Sequence, residues 1–143
     1  MTPPPPRFWI GVVSRDHVLR GVAGGFAMLN HGKRAPVARL SPGDGLVYYS
    51  PKTAIDGAPL QAFTAIGRVR DRAPYEAEMT ATMTGFRRDI DWDPAREVPV
   101  SLLKDGLAFT QGSWGMLARR GLFEITGTDF DLIRAAMTPE RIA

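Results

Sequence analysis

Cysteine is absent from the 143-residue chain, and histidine occurs only twice. Without cysteine, disulfide bonds, zinc–thiolate sites and thiol nucleophiles are excluded. The two histidines, His17 and His31, fall on different segments, so a metal centre with several histidine ligands is not expected. The sequence therefore predicts neither a metal site nor a cofactor.

Long apolar runs are also missing. None approaches the roughly 20 residues of a membrane-spanning helix. The start of the chain has prolines at positions 3–6 and lacks the apolar segment of a signal peptide. We therefore predict a cytoplasmic protein without a membrane partner, and we favour a monomer. The prolines favour an extended tail over residues 1–6, followed by one domain over residues 7–143.

Common catalytic signatures do not occur either: there is no GxGxxG, P-loop or GxSxG motif. The pair Gly24–Gly25 is typical of a helix end. The segment Ser14–His17 (SRDH) has the residue types of a nucleophile site, but adjacency in sequence is a poor guide to a triad. Ser14 is also a good helix N-cap, and its hydroxyl can bond a ligand edge in that position. We predict no catalytic residues.

The composition is that of one globular domain, with 44% hydrophobic and 23% charged residues. The net charge is +3, and positive charge is concentrated early: the first 43 residues hold six basic side chains and one acidic, Asp16. A one-sided basic face is compatible with nucleic-acid binding.

The hydrophobic pattern predicts strands that alternate with short helices. The predicted strands are 8–13, 46–49, 62–69, 79–92 (as one strand or two) and 121–126, and the predicted helices include 15–22 and 128–137. Within the last of these, Thr128 and Asp131 resemble a capping box. This order favours an α+β fold with a curled sheet or small barrel and helices at its ends.

The stretch from His31 to Lys52 combines a basic loop with a strand that contains two tyrosines. A tight turn, Ser41–Asp44, separates the loop from the strand. Because side chains alternate along a strand, Tyr48 and Tyr49 are expected on opposite faces. Cations beside aromatic faces are what binding of a nucleobase requires.

Three further aromatic residues, Phe26, Trp92 and Trp114, are candidates for a pocket, the core or an edge position. Phe26 and Trp114 lie between glycines, in stretches without a predicted strand, and each is a candidate either for a pocket wall or for the core. Trp92 is flanked by Asp91 and Asp93, and we predict an edge position for it because acidic neighbours repel phosphate.

An ordered set of segments resembles one known family. FWIGVVSRDHV, GGF, HGKRAPVARLSPGDGLVYYSPK, FTAIGRV and GFRRDIDW are similar to bacterial proteins of the EVE-domain family, which belongs to the PUA-like superfamily and is related to YTH domains. The resemblance covers residues 7–137. It implies a PUA-like small mixed β-barrel of about five to six strands with short peripheral helices. It also implies that a modified nucleobase of DNA or RNA is held, without catalysis, in an aromatic-walled pocket.

The resemblance also implies site residues. Those expected to contact the base are Ser14, Phe26, His31, Lys33, Tyr48, Tyr49, Ser50, Tyr75 and Trp114. Phe26 falls where YTH domains place the first tryptophan of the cage, and Tyr75 is the nearest counterpart of the second. Those expected to contact the nucleic-acid backbone are Arg15, Lys33, Arg34, Arg39 and Lys52.

Two other functions remain open at this point. The first is a hydrolase acting on a modified nucleoside, in which Lys33 would pair with a carboxylate such as Glu76 or Glu78. The second is an RNA-binding module in RNA modification or translation. A pocket that holds Lys33 beside a carboxylate would favour the hydrolase, whereas two facing aromatic side chains would favour a base-binding module.

Overall fold

A computed structural model describes residues 4–80 and 82–139, and in this part of the chain eight strands form one curled mixed sheet. The strands are β1 (Phe8–Val12), β2 (Phe26–Ala27), β3 (Gly45–Lys52), β4 (Pro59–Val69), β5 (Tyr75–Thr80), β6 (Met83–Trp92), β7 (Val98–Pro99) and β8 (Leu122–Ile125). The α-helices are α1 (Arg15–Gly24), α2 (Arg34–Ala38), α3 (Gly115–Ala118) and α4 (Gly127–Met137).

The α+β class and the small curled sheet with short peripheral helices are therefore confirmed. Six of the strands have four or more residues, which agrees with the expected number, and the other two, β2 and β7, have two residues each. Strands this short leave no periodicity in the sequence, because alternation needs at least four residues to be recognised.

The sheet order is β2-β6-β4-β3-β1-β8, with β5 paired to β6 and β7 paired to β4. β1 runs parallel to β3, and the other pairings of the sheet are antiparallel. A parallel pair needs a long crossover, and here α1, β2 and α2 lie within that crossover. Within that crossover, β2 pairs with β6 and lies at one end of the sheet.

Both faces of β3 are buried, in two separate clusters. Tyr48 packs with Trp9, Leu46 and Ile90 on one face, whereas Tyr49 packs with Phe63 and other residues on the opposite face. The expected opposition of the two tyrosines is confirmed. Neither side chain reaches solvent freely, because the sheet is covered on both sides.

The stretch 79–92 proves to contain two strands. β5 begins earlier, at Tyr75, and pairs with β6 as an antiparallel hairpin. Ala81, which the predicted alternation included, lies outside the described residues.

Two helix starts differ from expectation. Ser14 occupies the N-cap position of α1, but its side chain makes no capping hydrogen bond and donates instead to Asp16. α4 begins at Gly127, where the Thr126 hydroxyl accepts a hydrogen bond from the Asp129 amide. The capping pair is thus two residues earlier than predicted, because Thr126 already has the extended backbone that an N-cap requires.

The C-terminal end of α1 is as predicted, with Gly25 in the left-handed conformation at φ 74°. At the N-terminus, Pro4–Pro6 are exposed and have no regular secondary structure. The rest of the predicted tail, residues 1–3, lies outside the described residues, as do residues 140–143. None of the described helices has the length and apolar character needed to cross a membrane.

Candidate functional site

A pocket with a volume of about 310 Å³ opens at the end of the sheet formed by the β1–β3 crossover. This volume lies within the range of about 300–1,000 Å³ that is usual for small-molecule sites. Its walls come from α1, β2, the Asn30–Gly32 turn, β3 and the β5–β6 hairpin. The crossover and the hairpin, which are distant in sequence, therefore meet at one concave surface.

The apolar part of the wall consists of two aromatic rings, two thioethers and three aliphatic side chains: Phe26, Tyr48, Met28, Met79, Val12, Val13 and Ile55, with Gly21 and Gly32 also in the wall. The two methionines pack closely over glycine backbone. A Cβ atom on Gly32 would lie 2.8 Å from the Met79 Sδ atom and 3.1 Å from the Met28 Cε atom. A side chain at position 32 would make both methionines shift, and the φ of 84° at this position also favours glycine.

Phe26 is half-buried and belongs to β2, not to a loop as its glycine neighbours suggested. Its edge packs against Gly24, where a Cβ atom would lie 2.7 Å from the Phe26 Cδ1 atom and closer still to Cε1. The Arg87 guanidinium carbon lies over the ring, 3.9 Å from the centroid. β2 pairs Phe26 with Asp89, so Arg87, two residues away on β6, shares its face. Phe26 and Arg87 therefore form one composite surface.

Tyr48 presents a ring rather than a hydroxyl to the pocket. Its hydroxyl donates to the Met28 carbonyl at 2.9 Å and accepts from the Met28 amide at 3.1 Å. Burial raises the pKa of Tyr48, and the hydrogen bond with Met28 opposes this only in part. Both hydrogen-bonding functions of the hydroxyl are thus used inside the protein.

Trp92 supports Tyr48 from behind, and the prediction of an edge position is wrong. The two rings stack at a centroid distance of 5.3 Å. The Trp92 indole nitrogen donates to the Gly21 carbonyl at 3.2 Å. The acidic neighbours did not indicate this role because Asp91 is exposed, on the other face of β6.

The polar part of the wall is cationic. His17, Arg20, His31 and Arg87 line the pocket, and none of its lining residues is acidic. His31 lies in a left-handed turn, with φ 46° at Asn30, 60° at His31 and 84° at Gly32. Such backbone is costly for residues other than glycine. The Asn30 side chain ties the turn to the Arg120 carbonyl at 3.3 Å, which holds His31 at the rim.

Ser14 lies where β1 passes into α1, and its half-buried side chain lines the pocket. Its hydroxyl donates to Asp16 Oδ1 at 2.6 Å. This hydrogen bond is the main reason that the pKa of Asp16 is lowered, with smaller contributions from the His17 amide and from the charges of His17 and Arg20.

A family model described as the EVE domain matches residues 7–136. The chain belongs to the EVE-domain family. A UPF0310 protein of Mesorhizobium japonicum is 52% identical over 95% of both chains. The UPF0310 protein YdcG of Bacillus subtilis is 47% identical over 91% of both. The names of these relatives state no activity.

Solved structures show the same fold at low sequence identity. The NMR structure of Rpa0253 from Rhodopseudomonas palustris has a TM-score of 0.57 at 17% identity, with 91% of this chain and 92% of that chain covered. A hypothetical protein from Leishmania major has a TM-score of 0.59 at 10% identity, covering 92% of this chain and 94% of that chain. Membership of the EVE family suggests a nucleic-acid-binding PUA-like module.

The structure brings four of the predicted base-contacting residues together in the pocket of this EVE domain: Ser14, Phe26, His31 and Tyr48. The others lie elsewhere. Tyr49 packs edge-on against Trp114 at 5.1 Å in the opposite core, and the buried Ser50 hydroxyl pairs with Thr64 at 2.8 Å. Aromatic character alone did not reveal which face of the sheet each residue occupies.

Tyr75 lies beside the pocket but does not line it. It pairs with Arg87 across the β5–β6 hairpin, and its hydroxyl donates to Asp89 at 2.7 Å. The Arg72 guanidinium covers its ring at 3.7 Å. The second aromatic wall of the EVE pocket is therefore supplied by Tyr48, with Met79 of β5 also lining the pocket.

The residues predicted to contact the nucleic-acid backbone lie mostly in solvent. Lys33, Arg34, Arg39 and Lys52 are exposed, and Arg15 is half-buried and paired with Glu97 at 2.5 Å. Lys33 does not line the pocket, and among the described residues no carboxylate lies within 4.0 Å of its ammonium group. The Glu76 carboxylate accepts a hydrogen bond from Thr84 instead.

Sequence reasoning missed several lining residues: His17, Arg20, Met28, Met79 and Arg87. Arg87 and Met79 belong to the β5–β6 hairpin, which is joined to the crossover through the long-range pairing of β6 with β2. His17 and Arg20 are close to Ser14 on α1, and their helical spacing of three residues was a usable signal. Within the described residues no group of three His, Cys, Asp or Glu side chains is arranged to hold a metal ion.

Proposed function

We propose that this EVE domain holds a modified nucleobase of DNA or RNA in the pocket, without changing it chemically. One observation carries the proposal: Phe26, Tyr48 and two methionines form an apolar wall, while the polar side of the same pocket is cationic and has no carboxylate. A nucleobase has the matching character, with an apolar face, a polar edge and an attached anionic backbone.

The apolar wall suits the added group of a modified base. Burying a methyl-sized group contributes about 0.8 kcal/mol, and methionine side chains adapt their shape to small substituents. Stacking on an aromatic or guanidinium surface contributes about 1–3 kcal/mol per base. Together these terms offset the few kcal/mol needed to unstack a base.

The cationic side of the pocket suits the sugar–phosphate backbone. Arg20 and His17 are exposed on α1, and His31 is exposed on the Asn30–Gly32 turn, which also lines the pocket. The positive charge of the wall comes from Arg20 on α1 and Arg87 on β6, and a phosphate that lies near these guanidinium groups is attracted to them. These contacts position the chain, whereas the pocket reads the base.

A titration of short oligonucleotides tests the proposal. Fluorescence anisotropy of the full chain is measured with single-stranded DNA and RNA that carry one methylated or hydroxymethylated base, against the same sequences without the modification. Phe26→Leu keeps apolar volume but removes the ring, and we expect it to weaken binding by about 1–3 kcal/mol.

Tyr75→Leu is the matched control, because Tyr75 also carries a stacked arginine but lies outside the pocket wall. It should leave the affinity within experimental error. If no modified oligonucleotide binds more tightly than its unmodified counterpart, the proposal is wrong.

A further inference from the structure

We infer that Asp16 holds the Ser14 hydroxyl so that its oxygen can only accept a hydrogen bond from a ligand. This acceptor selects nucleobases with an exocyclic amino group over their keto counterparts. The inference rests on the proposed function and goes further, because it names the class of base. Cytosine and adenine carry such amino groups, whereas uracil and hypoxanthine carry a carbonyl oxygen at the same positions.

The direction of the Ser14 hydrogen bond is set by its partner. An ionised carboxylate only accepts hydrogen bonds, so the Ser14 proton must point to Asp16 Oδ1, 2.6 Å away. The pKa of Asp16 is lowered, which keeps this carboxylate ionised through the neutral range. Ser14 thus has no proton left to donate to a ligand.

The acceptor capacity of the Ser14 oxygen is unused. A hydroxyl oxygen has two lone pairs, and at an N-cap position they normally receive a backbone amide. Here no such bond forms, and no other donor among residues 4–80 and 82–139 reaches this oxygen. The oxygen belongs to a half-buried side chain in the pocket wall, so a bound ligand is its natural donor.

The side chain and the backbone of Asp16 are each held by a further hydrogen bond. Asp16 Oδ1 accepts the His17 amide at 2.9 Å. The Asp16 amide donates to the Thr53 carbonyl at 3.0 Å, which joins α1 to the segment after β3. A rotation of the Asp16 side chain that let Ser14 reverse its hydrogen bond would therefore break the contact with the His17 amide.

Asn30, His17 and His31 in the wall also carry atoms that can accept hydrogen bonds. Among the described residues of the wall, however, only Ser14 has its proton held by a carboxylate. The Tyr48 hydroxyl is fully used by Met28, and Arg20 and Arg87 only donate. An amino group placed against Ser14 gains a hydrogen bond, whereas a carbonyl oxygen placed there faces lone pairs and a nearby carboxylate. Loss of a hydrogen bond with an oxygen left unpaired reduces affinity by about tenfold or more.

The test compares single-stranded DNA oligonucleotides that differ only in this group: 5-methylcytosine against thymine, and adenine against hypoxanthine, each at one central position. We expect the full chain to bind the amino member of at least one pair about tenfold more tightly than the keto member. Equal affinity within both pairs, or tighter binding of a keto member, overturns the inference while leaving the proposed function intact.

Substitutions at Ser14 and Asp16 test whether these two residues cause the preference for amino bases. Ser14→Ala removes the acceptor, and Asp16→Asn allows the amide group to donate to Ser14 and free its proton; both should bring the amino-to-keto affinity ratio close to one. Glu76→Gln is the matched control, because Glu76 accepts from Thr84 at 3.0 Å outside the pocket wall, and it should retain the ratio.

Melting curves establish that each variant is folded before titration. The ratio is informative even for a weakened variant, because a purely structural loss lowers both affinities equally. A ratio that survives in both Ser14→Ala and Asp16→Asn contradicts the inference. If neither member of either pair binds, the inference fails, and the wider set of modified DNA and RNA oligonucleotides decides the proposed function separately.

Discussion

At the scale of single residues, the pocket depends on Arg87 as much as on its aromatic side chains. The guanidinium lies 3.9 Å from the Phe26 centroid and donates to the Glu78 carbonyl at 3.2 Å. One face of Phe26 is thus already covered, and a base that enters from this side meets the guanidinium plane. Arginine planes stack on bases as aromatic rings do.

Replacing Arg87 by lysine tests this stacking surface. Arg87→Lys keeps the charge but removes the plane, and lysine does not stack in the same way. We expect affinity for a modified oligonucleotide to fall by about 1–2 kcal/mol, measured by anisotropy titration. Arg72→Lys, which alters a similar stack on Tyr75 outside the pocket, should have no effect; an equal loss in both variants would indicate only a charge effect.

The pKa of Asp16 provides a second residue-scale prediction. A lowered pKa means that the contribution of Asp16 to stability is present above its ordinary pKa of 3.8 and is lost as the pH falls through the lowered value. Ser14→Ala removes the largest cause, so the pKa should rise toward the ordinary value. An NMR titration of the Asp16 carboxyl measures this; an unchanged pKa would mean that Ser14 does not donate to it.

At the scale of elements, successive side chains of β3 point alternately into two buried clusters on opposite faces of the sheet. Tyr48 and Tyr49 are both buried, yet they serve different clusters, and only Tyr48 contacts the pocket. Their hydroxyl groups also differ: within the described residues the Tyr49 hydroxyl makes no hydrogen bond, whereas the Tyr48 hydroxyl bonds both polar groups of the Met28 backbone.

This difference predicts unequal effects of the same substitution. Tyr48→Phe leaves the Met28 amide and carbonyl without their partner and should lower the free energy of unfolding by about 1–3 kcal/mol. Tyr49→Phe should change it by no more than about 0.5 kcal/mol. Urea denaturation of both variants measures the difference, and equal values would contradict the hydrogen-bond assignment.

The sequence predicted those elements whose pattern lies within the element itself, and it did not predict features that depend on contacts distant in sequence. β3 and its two faces followed from a continuous apolar run, and Gly25 ended α1 as expected. The short β2 left no pattern, so Phe26 was expected in a loop. Trp114 was a pocket candidate but packs with Tyr49, because residue type does not indicate which side of a curled sheet a loop will cover.

At the scale of the whole molecule, the pocket is built by chain segments that only the tertiary fold unites. The resemblance to the EVE family indicated Ser14, Phe26, His31 and Tyr48, which the fold does bring together. Arg87 and Met79 were missed because their hairpin reaches the pocket through pairing with β2. The sequence gives the net charge of +3, but only the fold shows which basic side chains line the pocket.

This charge distribution predicts that binding weakens with salt. Each phosphate contacted releases counterions, so the logarithm of the affinity should fall linearly with the logarithm of the salt concentration, by about 0.7 per phosphate for single strands. Anisotropy titrations between low and physiological salt measure the slope. An affinity that does not change over this range would contradict backbone contacts.

The central claim, that a nucleobase enters this pocket, is tested most directly by NMR of methionine methyl groups during titration with a modified oligonucleotide. Met28 and Met79 line the pocket, whereas Met116 is exposed on α3 and Met137 is buried at the end of α4. We predict that the Met28 and Met79 signals shift and saturate together, while those of Met116 and Met137 stay in place. Binding that leaves the Met28 and Met79 signals unchanged would contradict the claim.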